Sequence, residues 1–148
     1  MRNADALIRV RDVMKPNFDM VDGMDTVAQA LDRMQHVDTK SLIVRKRHDD
    51  DEYGMVLISD IAREVLAKDR APERVNIYEI MSKPLLSVPP AMDIRYCARL
   101  FNRFDLSRAP VVDQDEVIGI VSLTDLVVRG MMPSQQKEAG RDSEEPGT

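Results

Sequence analysis

The chain has 148 residues, 43% of them hydrophobic and 32% charged, with a formal net charge of −5. That suffices for one domain or two small fused halves around a buried core, and the acidic, mixed-sign balance argues against a duplex-binding surface of Lys and Arg. No apolar run approaches the roughly 18 residues that span a bilayer, the N-terminus lacks a signal-peptide core, and the single Cys97 has no internal disulfide partner, so no membrane association and a cytoplasmic, reducing setting are expected.

Residues 1–9 read as a lead-in, with Ala6, Leu7 and Ile8 as a partial strand or docking segment. Thr26 followed by Gln29 is a capping-box signal, and Val27, Ala30, Leu31 and Met34 fall on one helical stripe, which predicts a helix from about Thr26 to His36. Two short apolar runs, Ser41 to Lys46 and Gly54 to Ser59, read as strands joined by a charged connection. A helix from Ile61 to Ala67 follows Asp60, read as its N-cap. Residues 68–75 form a polar linker.

The same order then returns: a strand near Leu85 to Val88, a helix from Asp93 to about Phe104, strands at Pro110 to Val112 and Val117 to Val121, and a helix from Asp125. The hairpin Asp113 to Glu116 is shorter than its first-copy counterpart. After Met132 the chain has almost nothing to bury, and residues 133–148 are expected to be a disordered tail.

These elements are two copies of one module. Val13, Met14, Val21, Thr26 and Val27 return as Ile80, Met81, Val88, Asp93 and Ile94, each 67 residues later. The offset then reads as 68, with Ser41 to Val44 answering Ala109 to Val112 and Lys40 standing where Arg108 stands, and as 65, with Gly54 and Asp60 answering Gly119 and Asp125. A tandem pair of this kind shares a core between its units and places a site in the seam.

The strongest chemical signal is Gly119 to Leu126, where an apolar strand ends in Ser122, Thr124 and Asp125 at the mouth of a helix. A carboxylate there can accept both hydroxyls of a vicinal diol, while hydroxyls and helix amides hold an anion; the plainer reading is a helix cap at a strand end. His48 to Glu52 lacks the spacing of a calcium loop and reads as a solvated hairpin tip, so no metal site is expected. Cys97 sits on an apolar helix stripe and reads as a buried thiol rather than a nucleophile. No nucleophile and base pair stands out, which argues against an enzyme. Three Tyr, three Phe and no Trp offer poor platforms for single-stranded nucleic acid.

Gly119, two apolar residues, Ser122, two further residues and Asp125 resemble the hallmark that the cystathionine-β-synthase (CBS) domain family carries at the end of each unit, and the first copy keeps its Gly54 and Asp60. Further likeness lies in Val13, Met14 and Ile80, Met81, and in Ser107 to Val112 before the second hairpin. The resemblance covers residues 10–67 and 76–132. It implies an α+β fold: a tandem CBS pair, or Bateman module, of two β-α-β-β-α repeats packed through their sheets about a pseudo-twofold axis. It further implies a stand-alone regulatory module that binds AMP, ADP or ATP, or S-adenosylmethionine as a variant, and signals by conformational or homodimer rearrangement to an unidentified protein partner.

Carried onto this chain, the resemblance implies that Asp125 holds the ribose hydroxyls, that Ser122, Thr124 and Arg108 face the phosphate, and that the backbone from Met81 to Leu86 lines the adenine. The first copy keeps Asp60 and Ser59, offers Lys40, but has Leu57 where the family has Ser or Thr. Unequal sites are expected, with the Asp125 site the stronger. The rival reading is a dimerisation module whose ligand sites have degenerated.

Overall fold

A computed structural model describes residues 7–84 and 86–132; the tail expected over 133–148, and Ala6 in the lead-in, lie outside them. The elements in chain order are α1 (Val10–Val13), β1 (Met20–Val21), α2 (Val27–Arg33), β2 (Ser41–Val44), β3 (Gly54–Leu57), α3 (Ile58–Ile61), which continues as a π-helical stretch over Ala62–Leu66, α4 (Ile77–Ile80), α5 (Ile94–Phe104), β4 (Arg108–Asp113), β5 (Glu116–Ser122) and α6 (Leu123–Val128), with single 3-10 turns at Val37–Thr39 and Pro72–Arg74. They form two compact units: Asn17–Leu85, and a discontinuous unit that joins Met1–Pro16 to Leu86–Thr148.

In the contiguous unit, β1 runs parallel to β2, and β2 pairs antiparallel with β3 from Ser41↔Leu57 to Val44↔Gly54. One face of this sheet meets α2 in a core of Val21, Val27, Ala30, Leu42, Val44, Val56 and Ile61, closed by Val75 and Ile77 from beyond the linker. Thr26 caps α2 as its sequence suggests: its hydroxyl accepts from the Gln29 amide at 3.1 Å, and the Gln29 side chain accepts from the Thr26 amide at 2.9 Å. The helix ends at Arg33, three residues short of the expected His36. The Asp19 carboxylate explains the stop, because it accepts the Gln35 and His36 amides at 3.0 and 2.8 Å and draws them out of the helical path.

The discontinuous unit is built on the hairpin β4–β5, paired from Arg108↔Ser122 to Asp113↔Glu116. Its turn residues Gln114 and Asp115 both have positive φ, 50° and 65°, the backbone that a two-residue hairpin requires. Only Val88 of the expected strand near Leu85 to Val88 pairs, as a single parallel bridge to Val111, and Leu85 lies outside the described residues. Val88, Ile94, Cys97, Phe101, Ala109, Val111, Val121 and Leu126 form the core, with Val10 and Val13 of α1 buried among them.

The opening helix of each sequence repeat thus packs in the unit that holds the other repeat's sheet. Ile77 and Tyr78 amides donate to the Asp25 and Gly23 carbonyls at 2.8 and 2.9 Å, and Val10 and Arg11 amides donate to the Met92 and Pro90 carbonyls at 2.8 and 3.0 Å. The sequence reading missed both one-turn helices. Arg9 with Asp12 and Asn76 with Glu79 are the cap signals: each N3 carboxylate accepts its N-cap amide, at 2.8 and 2.7 Å.

Two helix starts also differ from expectation. Asp60 and Asp125 are not N-caps; α3 and α6 begin earlier, at Ile58 and Leu123, and each aspartate is the third residue of its helix. The strand β3 accordingly stops at Leu57, and Ser59 belongs to α3. A carboxylate at this third position reaches back to the strand-end amide, and the helix can start sooner.

Candidate functional site

In the discontinuous unit, Asp125 is 3% exposed and is held on both oxygens. Its Oδ2 accepts from the Ser122 amide at 3.2 Å and from the Ser122 hydroxyl at 2.9 Å, while that hydroxyl accepts the Asp125 amide at 3.1 Å. Its Oδ1 pairs with the Lys15 ammonium at 2.5 Å, where the lysine side chain retains 25% exposure. Arg108 lies directly across the hairpin from Ser122 and is half-buried. Burial pushes its guanidinium pKa down, and the charge of Asp125 opposes that shift. Ser122 is in direct contact with Asp125 and Arg108 lies within its electrostatic reach, whereas Thr124, the second residue of α6, is exposed.

The contiguous unit repeats the construction with different chemistry. Asp60 Oδ2 accepts the Leu57 amide at 2.8 Å, and Oδ1 pairs at 2.6 Å with Arg63, in the π-helical stretch Ala62–Leu66 that follows α3. Here the carboxylate is 21% exposed and its arginine 64% exposed. Ser59 is exposed. By hydroxyl content the Asp125 site is the richer; by access to solvent the Asp60 carboxylate is the more open.

The hairpin registers correct one expected equivalence. Val44 pairs with Gly54 and Val111 with Gly119, so Ser41, opposite Leu57, is the counterpart of Arg108, opposite Ser122. Lys40 corresponds to Ser107, and the carbonyls of this pair accept from the Ile58 and Leu123 amides at 3.0 and 2.9 Å. The offset of 67 holds through the strand, with no slip to 68. Ser41 is buried and donates to the Thr39 carbonyl at 3.2 Å, while the exposed Lys40 adopts a left-handed backbone with φ of 57°.

Lys15 was not singled out by sequence, and its signal is ambiguous. The motif Met14-Lys15-Pro16 aligns with Met81-Ser82-Lys83-Pro84 either by its methionine or by its lysine. Backbone pairing settles the choice: Lys15 bridges Ile120 as Ser82 bridges Met55, and Ile120 and Met55 are equivalent strand positions. Lys83 instead donates to Asp51 at 3.1 Å and to the Glu52 carbonyl at 2.5 Å. A one-residue slip along extended chain turns a side chain to the opposite face, which is why the two lysines have different partners.

Each methionine lies over a glycine. A Cβ on Gly119 would stand 2.8 Å from the Met14 sulfur and 2.8 Å from the Lys15 carbonyl oxygen; one on Gly54 would stand 2.9 Å from the Met81 sulfur. The glycines are required by this close approach. Met81 thus packs in the unit of Asp60, and Leu86 packs against the core of the unit of Asp125. Among the described residues no cluster of His, Cys, Asp and Glu has the makings of a metal site, and no helix is long and apolar enough to cross a membrane. Asp51 in the acidic hairpin tip is bound to Arg47 and Lys83.

A family model described as CBS domain matches residues 10–67 and 77–130. The CBS domain-containing protein YhcV of Bacillus subtilis is 36% identical over 78 residues, covering 53% of this chain and 55% of that protein. The chain spans about half the length of the curated relatives it matches. Among solved structures, a hexameric CBS-CP12 protein from bloom-forming cyanobacteria superposes with a TM-score of 0.77 at 32% identity, covering 93% of this chain and 84% of that one. The CBS domain pair of protein MJ0100, solved in complex with 5′-methylthioadenosine and S-adenosyl-L-methionine, has a TM-score of 0.67 at 21% identity, covering 82% and 94%.

Proposed function

The chain belongs to the CBS-domain family, whose paired domains are regulatory ligand-binding modules, and on that premise we propose that it senses an adenosine-containing ligand. The ligand is first an adenine nucleotide, AMP, ADP or ATP, with S-adenosylmethionine as the alternative. Occupancy is transmitted without catalysis, through conformational change or rearrangement of a homodimer, to a partner protein. A ligand acts in this way only by its difference in affinity between two arrangements, commonly about 1–3 kcal/mol.

The observation that carries this reading is a construction made twice. In each unit a buried strand leads into a short helix whose third residue is an aspartate. One of its oxygens is tied to the strand-end amide, and the other is held by a cation at a partly open position. Exchange of partners is the proposed chemistry: ribose hydroxyls take over the cation-facing oxygen, and the released cation takes an anionic group of the ligand. The complex of the MJ0100 pair with two adenosine derivatives is consistent with that ligand class.

Isothermal titration calorimetry with AMP, ATP and S-adenosylmethionine tests the proposal. At least one should bind, and Asp125→Asn should weaken it at least tenfold, about 1.4 kcal/mol, with Asp60→Asn having the smaller effect. Absence of binding by all three would favour a dimerisation module with degenerate sites. That second reading draws on Leu57 and on the fact that both aspartates already have partners within the chain.

A further inference from the structure

The two sites differ in charge at the same two positions. In the discontinuous unit Lys15 pairs with Asp125, and Arg108, opposite Ser122, feels the charge of that same carboxylate. Lys15 and Arg108 thus both lie within electrostatic reach of this one buried carboxylate. In the contiguous unit both positions are serine. Ser82 makes the backbone bridge that Lys15 makes, and Ser41 occupies the register position of Arg108.

The cations of the contiguous unit do not rebuild that arrangement. Arg63 balances Asp60 one for one from a side chain that is 64% exposed. Lys83 is committed to Asp51 and the Glu52 carbonyl, and Lys40 is exposed at a left-handed position before the strand. Leu57 adds apolar bulk where Ser122 stands in the other unit. A partly buried cation keeps its attraction for an anion, whereas an exposed one is screened by solvent and salt.

Resting on the adenosine reading above, we propose that the sites divide ligands by charge: the Lys15, Arg108 and Asp125 site takes an adenosine ligand bearing a phosphate, and the Ser82, Ser41 and Asp60 site takes one bearing none. Lys15 is the specificity-determining residue, with Arg108 second. In the free protein the ammonium of Lys15 holds the Asp125 oxygen that the ribose needs. A ligand with both ribose and phosphate satisfies the two partners at once, but a ligand lacking phosphate strips Asp125 of its cation and offers that cation nothing. Asp60 imposes no such condition, because Arg63 can turn to solvent.

The test is calorimetric titration of the full chain with AMP and with adenosine, read alongside NMR of methyl-labelled methionine, where Met14 lies in one unit and Met81 in the other. AMP should shift the Met14 methyl and adenosine the Met81 methyl. Lys15→Ser should lower AMP affinity at least tenfold while changing adenosine affinity less than twofold, and Lys15→Arg should retain most AMP binding. In case Lys15→Ser fails to fold, Ser82→Lys provides an independent arm: it should add AMP binding reported by Met81. Equal affinity of the unaltered chain for AMP and adenosine, with both methyls responding to each, would overturn the charge division and leave the adenosine reading standing. Failure of both AMP and adenosine to bind would overturn the charge division, and the adenosine reading itself falls only if ATP and S-adenosylmethionine fail as well.

Discussion

At Gly119 a side chain would meet, beside the movable Met14 sulfur, the Lys15 carbonyl oxygen, fixed by reciprocal hydrogen bonds between Lys15 and Ile120 at 2.8 and 2.9 Å. At Gly54 the nearest atom is a thioether sulfur, which can move. Gly119→Ala should therefore destabilise the protein by roughly 1–3 kcal/mol, and Gly54→Ala by less, in urea unfolding; the reverse order would contradict the packing. Cys97 supplies a second residue-scale prediction. Burial pushes its thiol from 9.0 up to about 11, so the folded protein should react negligibly with a thiol reagent at pH 8 and rapidly once unfolded. The raised pKa also fixes the sign of its pH dependence: its contribution is intact below pH 9 and is lost as the pH rises toward 11, because only the unfolded thiol ionises in that window. The paired hallmark residues Asp125 and Asp60 were legible in the sequence. Their cations were not, since Lys15 becomes a partner only once extended backbone decides whether it or its neighbour faces the carboxylate.

Among the elements, those whose signals are local were the most readable. Thr26 and Gln29 announced the start of α2, Asp93 that of α5, and the Asp113 to Glu116 turn its hairpin. Thr26→Ala should cost about 1 kcal/mol in urea unfolding by leaving the Gln29 amide without its acceptor; an unchanged midpoint would show that the cap contributes nothing. What sequence pattern did not reveal depended on distant partners. The end of α2 is set by Asp19, and α1 and α4 are too short for a hydrophobic period to show. The strand register was misjudged by one residue because Leu42 to Val44 and Ala109 to Val111 are apolar throughout, and an apolar run carries no alternation to fix its phase.

Across the whole molecule, the compact units cut across the sequence repeats, and fragments should follow the units. A fragment of residues 17–84 keeps Val75 and Ile77, exposed 2% and 0%, against their own sheet. A fragment of residues 10–67 loses both and strands Val10 and Val13 without the core that buries them. The first should unfold cooperatively in urea with helical and strand signal by circular dichroism, and the second should not. Equal cooperativity of the two would show that the exchanged helices are dispensable.

The exchange of opening helices also sets an order in which the chain can fold as it leaves the ribosome. Residues 17–85 are contiguous and can close their core as soon as Ile77 emerges. The segment from Ile8 to Lys15 emerges ahead of that unit but must wait for α5, β4 and β5 before Val10 and Val13 have anything to cover them. Loop closure over so long a span is slow relative to local pairing. Residues 8–15 are thus made before the contiguous unit but buried after it, and Asp125 gains its lysine only when that waiting segment docks.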